Sequence, residues 1–157
     1  FGSGMHETTS MCLELLEKAV RPGDRVFDVG TGSGILAIGA ALLGASDVLA
    51  IDIDPDAVKV AKENIAHNGL TERIRVVQGN LLEEQTEICQ VCVANIIADV
   101  ICAFAGPLKA HIAPGGVFIC SGIIEGRQDE VRAALERNGF TVLEHRCEEE
   151  WHCFVCR

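Results

Sequence analysis

The chain reads as an α/β domain: a doubly wound, seven-stranded, mostly parallel sheet with one antiparallel strand in a C-terminal hairpin. Three observations carry this. Short β-rich runs alternate with segments of helical period along the whole sequence. The strand runs are apolar on both alternating positions, as in Val48-Leu-Ala-Ile51, which suits a sheet covered by helices on both faces. The last two strands, Phe140 to Glu144 and Trp151 to Cys156, are joined by a segment too short for a crossover and must pair as a hairpin.

The elements follow in order. A helix over Thr9 to Val20 carries an apolar stripe at Met11, Cys12, Leu15, Leu16, Ala19 and Val20, and Arg21-Pro22-Gly23 stops it. A strand over Arg25 to Val29 leads through Gly30, Gly32 and Gly34 into a helix from Gly34 to Leu43. A second strand spans Asp47 to Ile53. Asp54-Pro55 then opens a helix, with Asp54 placed to cap free amides and Pro55 in the first turn, where its missing N–H costs nothing. That helix points Val58, Ala61 and Ile65 inward and stops at Asn68-Gly69. Further strands are expected over Ile74 to Gln78, Cys89 to Ile97 and Val117 to Ser121, with helices over Ala98 to Ile112 and Glu125 to Asn138.

With 157 residues the chain is one domain by length, able to bury roughly two thirds of its unfolded surface. No apolar stretch reaches the roughly 18 residues of a membrane span, and no signal-like segment opens the chain, so a cytoplasmic location and no membrane partner are expected. The chain begins at Phe1, in the middle of a motif, as an excised domain would. The formal net charge of −10, from 23 acids and 13 bases, repels phosphate backbones and argues against a nucleic-acid substrate. It suits either a basic partner or plain solubility.

Eight cysteines include Cys89-x-x-Cys92 and Cys153-x-x-Cys156. Both pairs fall in strand-like runs, where residues i and i+3 point to opposite faces and cannot share an ion. They read as small buried hydrophobes in a reducing compartment. His67, His111, His145 and His152 lack metal-ligand spacing, so no metal site is expected.

Ligands of open α/β sheets sit beyond the carboxyl ends of the strands. That edge gathers Gly30 and Gly32 of the glycine loop, Asp52, Asn80 and Asn95. Asp28, just before the first glycine, repels a pyrophosphate and welcomes a cation. Asp52, 22 residues beyond Gly30, stands where an acid reaches a ribose diol, or is a second helix cap beside Asp54. Asn80 either binds an adenine edge or shapes a turn. Counted from Gly32, Gly32-x-Gly34-x-x-Ala37 also satisfies the loose dinucleotide fingerprint, so an NAD(P)-dependent oxidoreductase is the alternative enzyme. Against it stand Asp28 and the terminal hairpin.

With these residues in view, the chain resembles the class I S-adenosylmethionine-dependent methyltransferases. More narrowly, the segments at residues 1–9 (Phe1-Gly-Ser-Gly-Met-His-Glu-Thr-Thr9), 28–37 (Asp28 to Ala37), 51–55 (Ile51-Asp-Ile-Asp-Pro55) and 93–96 (Val93-Ala-Asn-Ile96) resemble the PrmA family over essentially the whole chain. That family methylates the stalk-base ribosomal protein L-eleven (L11). The resemblance implies a Rossmann-like methyltransferase fold, S-adenosylmethionine as cofactor, and cofactor contacts at Thr9, Gly30, Asp52 and Asn95. It also implies a substrate-recognition domain preceding this one in family members. On its own residues Thr9 reads only as a helix N-terminal position.

Asn95 bears on the substrate class. Enzymes methylating nucleobases or glutamine amides resemble Asn-Pro-Pro-Tyr here, a turn that grips a planar group. This chain has Asn95-Ile96-Ile97-Ala98 and no tyrosine, which favours an aliphatic amine: lysine or an N-terminus of a basic ribosomal protein. The Asn95 oxygen would accept from that amine and aim its lone pair, or would satisfy its own turn. His6 is a candidate base or a scaffold residue. Trp151 either walls the substrate pocket or covers the sheet end. A catalytically silent cofactor-binding module is the non-enzyme alternative.

Overall fold

The structure, a computed structural model, describes residues 5–157, with side chains from Glu7 onward. Five helices and seven strands follow in the order α1 (Met5–Ala19), β1 (Arg25–Val29), α2 (Ile35–Leu42), β2 (Asp47–Asp52), α3 (Pro55–His67), β3 (Ile74–Gln78), β4 (Cys89–Asn95), α4 (Ala98–Leu108), β5 (Ile112–Ile124), α5 (Gln128–Arg137), β6 (Val142–Glu148) and β7 (Trp151–Cys156). The strands form one sheet in the order β3-β2-β1-β4-β5-β7-β6. Pairs β1–β2, β1–β4, β2–β3 and β4–β5 are parallel, and β7 runs antiparallel to both β5 and β6. The seven strands and the single reversed one match the sequence expectation.

The apolar strands are buried on both sides. One core joins α1, α2 and α3 to Val26, Val48, Ala50, Val91 and Val93. The other joins α4 and α5 to Phe27, Leu49, Cys92, Phe118 and Phe154. This alternation of successive strand residues between two cores is the period of two made visible.

Boundaries shift where local chemistry differs from period. Helix α1 begins at Met5, four residues before the expected Thr9, and α4, with Pro107 in its last turn, ends at Leu108. A short 3-10 turn, Lys109–His111, continues it directly into β5. Strand β5 starts at Ile112 rather than Val117, because the chain re-pairs with β4 after an irregular Pro114-Gly115-Gly116 stretch. Helix α5 starts at Gln128, after a turn in which Gly126 takes a φ of 101°. Strand β6 extends to Glu148, so Glu149 and Glu150 alone make the hairpin turn, with Glu149 left-handed at φ 55°.

The cysteine geometry needs one correction. Cys153 and Cys156 do face opposite cores. Cys89 and Cys92, however, both enter the α4–α5 core, because a register shift between Cys89 and Val91 resets the alternation. They remain core thiols: both are fully buried, and burial pushes the Cys89 thiol up to about 12 and Cys92 well above its ordinary value.

Candidate active site

At the carboxyl edge of β1, the chain turns into α2 through three glycines with φ of 76°, 56° and 89° at Gly30, Gly32 and Gly34. Residues with a Cβ resist this left-handed backbone, which explains the spacing of the glycines. Gly30 is further constrained: a Cβ there would stand 2.5 Å from Ile96 Cγ2. Its amide, with that of Thr31, donates to the Ile51 carbonyl at 2.8 and 2.9 Å, tying the loop to the end of β2.

Asp52 completes that tie. Its Oδ2 accepts from the Gly32 amide at 2.9 Å and its Oδ1 from the Asp54 amide at 3.0 Å. Asp54 is the helix cap, its Oδ1 accepting from the Asp56 amide at 2.9 Å. Asp52 is thus not a second cap on α3 but a brace between two loops. A carboxylate has about four acceptor positions, so lone pairs remain for a ligand.

Two cavities meet at Gly30 and Asn95. The larger, about 400 Å³, is framed by Gly30, Asp52, Gly79, Asn80 and Asn95 and walled by Ile53, Leu81, Ile96, Ile97 and Val100. The smaller, about 220 Å³, runs along the glycine loop past Thr31, Gly32 and Ser33 to Thr9. The two share Gly30 and Asn95 and lie side by side at the ends of β1, β2 and β4, as two lobes of one groove region. Leu81, in its wall, takes a left-handed φ of 57°. A separate cavity of about 300 Å³ at the opposite edge, beside Lys18, Arg21 and Arg157, holds none of the expected residues.

Asn95 ends β4 at the junction. Its Nδ2 donates to Thr8 Oγ1 at 3.2 Å, while its Oδ1 is buried with no hydrogen-bond partner among the described residues. A buried carbonyl oxygen left unpaired costs roughly 1–3 kcal/mol, a cost that a ligand donor would remove.

Asp28 is placed differently from the expectation. It does not line the groove but lies beneath the loop, 1% exposed, with Oδ2 accepting from the Thr31 hydroxyl at 2.7 Å. Burial raises its carboxyl from the ordinary 3.8 to about 6, against hydrogen bonding from the Thr31 side chain and the Ala37 backbone. The glycine loop is therefore seated on a carboxyl that has no compensating cation among the described residues.

Comparison with known proteins decides the family. The family model "Ribosomal protein L11 methyltransferase (PrmA)" matches residues 1–157. The chain belongs to the PrmA family. A curated relative from Pelotomaculum thermopropionicum, named ribosomal protein L11 methyltransferase, is 54% identical over 157 residues, which are all of this chain and 51% of the relative. A second, from Geobacillus kaustophilus, is 49% identical across 99% of this chain and 50% of its own length. The chain thus spans about half the length of the curated relatives it matches. A crystal structure of ribosomal protein L11 methylase from Lactobacillus delbrueckii subsp. bulgaricus superposes with a TM-score of 0.93 at 35% identity, covering 97% of this chain and 79% of that one. A TehB-like SAM-dependent methyltransferase from Corynebacterium glutamicum shares the fold at 18% identity and a TM-score of 0.76, over 92% of this chain and 85% of its own. The oxidoreductase reading of Gly32-x-Gly34-x-x-Ala37 finds no support among these PrmA relatives.

Of the residues expected at the site, Thr9, Gly30, Gly32, Asp52, Asn80 and Asn95 border the groove of this PrmA domain. Asn80 also donates to Glu83 Oε1 at 3.1 Å, so it shapes its turn while facing the cavity. The side chain of His6 and residues 1–4 lie outside the described residues. Trp151 packs against the α1–α3 core. Sequence reasoning missed Ile53, Ile97 and Val100. Ile53 and Ile97, 65% and 54% exposed, stand on the wall of the same cavity.

Proposed function

We propose that this chain is the catalytic domain of an S-adenosylmethionine-dependent methyltransferase acting on amines of ribosomal protein L11. The observation that carries the reading is the pair of adjoining cavities that share Gly30 and Asn95, with Asp52 on the larger, in a chain whose whole length matches the PrmA family. The groove fits the cofactor by its own chemistry. Gly30 lets Ile96 close against the loop where a Cβ would clash, Asp52 offers carboxylate acceptors to a ribose diol, and the aliphatic wall suits an adenine face.

The cofactor, when bound, supplies an electrophilic methyl group and its own leaving group. The protein then supplies position and dryness. Asp52 and the loop amides orient the nucleoside, and the small lobe past Thr9 takes the amino-acid end. Asn95 Oδ1, buried and unpaired among the described residues, accepts an N–H of the incoming amine and directs its lone pair. A lysine with a pKa near 10.4 is neutral in roughly one molecule in a few thousand at pH 7. Ile96 and Ile97 beside Asn95 lower that pKa by withholding water from the ammonium form. His6, one turn of α1 before Thr9, is the candidate proton acceptor. The acidic surface of net charge −10 draws a basic ribosomal protein and disfavours free nucleic acid, and the ribosome places the reaction in the cytoplasm. Among the described residues no helix is long and apolar enough to cross a membrane.

The test is transfer of labelled methyl from S-adenosylmethionine to purified protein L11, with and without the N-terminal half of a relative supplied. Label on lysine or N-terminal amines in either arm supports the reading. Cofactor binding with no label in either arm makes the domain a silent module instead.

A further inference from the structure

We propose that Glu125, Cys147 and His152 form a binding site for a zinc-class divalent cation, separate from the cofactor groove and independent of the methyl-transfer reading. The hairpin register builds it. Cys147 and His152 are cross-strand partners in the β6–β7 pair, so their side chains share a face. His145, two residues before Cys147, lies on that same face opposite Phe154. Strand β5 brings the third ligand: Ile123 pairs with His152, and the Glu125 amide donates to the Glu150 carbonyl at 2.7 Å.

The ligand atoms converge. Glu125 Oε1 lies 2.7 Å from His152 Nε2, Cys147 Sγ lies 3.7 Å from the same nitrogen, and all three atoms fall within 4.8 Å of one another. Zinc bonds of about 2.0–2.3 Å at tetrahedral angles set ligand atoms roughly 3.3–3.6 Å apart, so the 3.7 Å Cys147–His152 spacing already suits an ion and the 2.7 Å Glu125–His152 contact must open. Glu125 is the ligand free to move, its side chain 57% exposed. The buried His152 is the fixed one.

His145 supplies the outer support. Its Nε2 lies 2.7 Å from His152 Nδ1, and its ring stacks on Phe154 at 4.6 Å between centroids. With the ion on Nε2, His152 keeps its proton on Nδ1 and donates it to His145, as metal-bound imidazoles ordinarily do to a second partner. The Cys147 thiol proton leaves to solvent as the sulfur coordinates. A thiolate, an imidazole and one carboxylate are a borderline-soft set that favours zinc over calcium or magnesium. Three protein ligands leave a fourth position for water. Bound there, the ion clamps the β5–α5 turn to the β6–β7 hairpin.

The expectation that the histidines lack metal-ligand spacing came from counting along the chain. The site is assembled across strands, where such counting does not reach.

The experiment is titration of chelator-stripped protein with Co²⁺, followed by its thiolate-to-cobalt charge-transfer absorption, then displacement by Zn²⁺. One equivalent with that band is expected, and Cys147→Ser, at an exposed position, should lose it. Glu125→Gln should weaken binding by about 10-fold, and His145→Gln by about 10–100-fold as an outer partner. Absence of the band in the unaltered protein, or its persistence in Cys147→Ser, overturns the site. Unchanged affinity in both Glu125→Gln and His145→Gln overturns the ligand assignment.

Discussion

Replacing Asp28 by asparagine isolates the charge under the glycine loop. The carboxyl is 1% exposed and its pKa rises from 3.8 to about 6, chiefly through burial. A raised folded pKa means that the native state holds its proton more tightly than the unfolded chain. The stabilisation is therefore full below the unfolded value of 3.8 and is lost as pH climbs through about 6. At 1.36 kcal/mol per pKa unit this amounts to about 3 kcal/mol in all, of which roughly 1.4 kcal/mol falls between pH 5 and pH 8. The amide in Asp28→Asn does not titrate, yet its side-chain oxygen still accepts from the Thr31 hydroxyl. Urea unfolding of both proteins across pH 5 to 8 is the assay. The stability of the unaltered protein relative to Asp28→Asn should fall by about that 1.4 kcal/mol as pH rises. Parallel pH curves would refute the reasoning, since they would mean that the carboxylate is solvated or paired.

Three further outcomes follow from the same geometry. A sulfonium cation in the groove would relieve Asp28, so the preference for S-adenosylmethionine over S-adenosylhomocysteine, read by competition binding, should grow as pH rises through about 6 and be flat in Asp28→Asn. Gly30→Ala should lose about 1–2 kcal/mol of stability from its φ of 76°, and most cofactor affinity, because the new methyl meets Ile96. Asp47 has the opposite sign to Asp28. Partial burial pushes its carboxyl up, but hydrogen bonds from Arg75 at 3.1 Å and Arg25 at 2.9 Å outweigh this and hold it below 3.8. Its contribution is present above the ordinary carboxylate value and lost in acid, and Asp47→Ala should cost about 1 kcal/mol at pH 7 in thermal unfolding.

The fold was legible because strands buried on both faces must be apolar at every position, as Val48 to Ile51 are, and because proline and glycine mark the stops. Asp54 and Pro55 opened α3 as expected, down to the hydrogen bond that the Asp54 side chain accepts from the Asp56 amide. The gathering of several candidate residues at one edge was legible too. Gly30, Asp52 and Asn95 end three neighbouring strands, and a parallel sheet delivers such ends to one edge. What stayed hidden is non-local or irregular. Asp28 carries the charge of a ligand contact, but alternation along β1 turns it under α2. Ile53 and Ile97 look like core residues, and only their places just past the ends of β2 and β4 expose them. The register shift at Cys89 leaves no mark in composition. The Glu125–Cys147–His152 cluster depends on which strands pair, and β5 and β7 are separated by a whole helix and β6.

The central claim is that the groove at the carboxyl ends of β1, β2 and β4 holds an adenosyl group through Asp52. Calorimetric titration with S-adenosylhomocysteine, repeated with NAD and with Asp52→Ala, tests it most directly. The account predicts one site for S-adenosylhomocysteine, no heat with NAD, and a loss of at least about 10-fold in affinity in the variant, one ribose hydrogen bond to a carboxylate being worth roughly 1.5–3 kcal/mol. Binding to NAD alone, or an unchanged dissociation constant in Asp52→Ala, would contradict it.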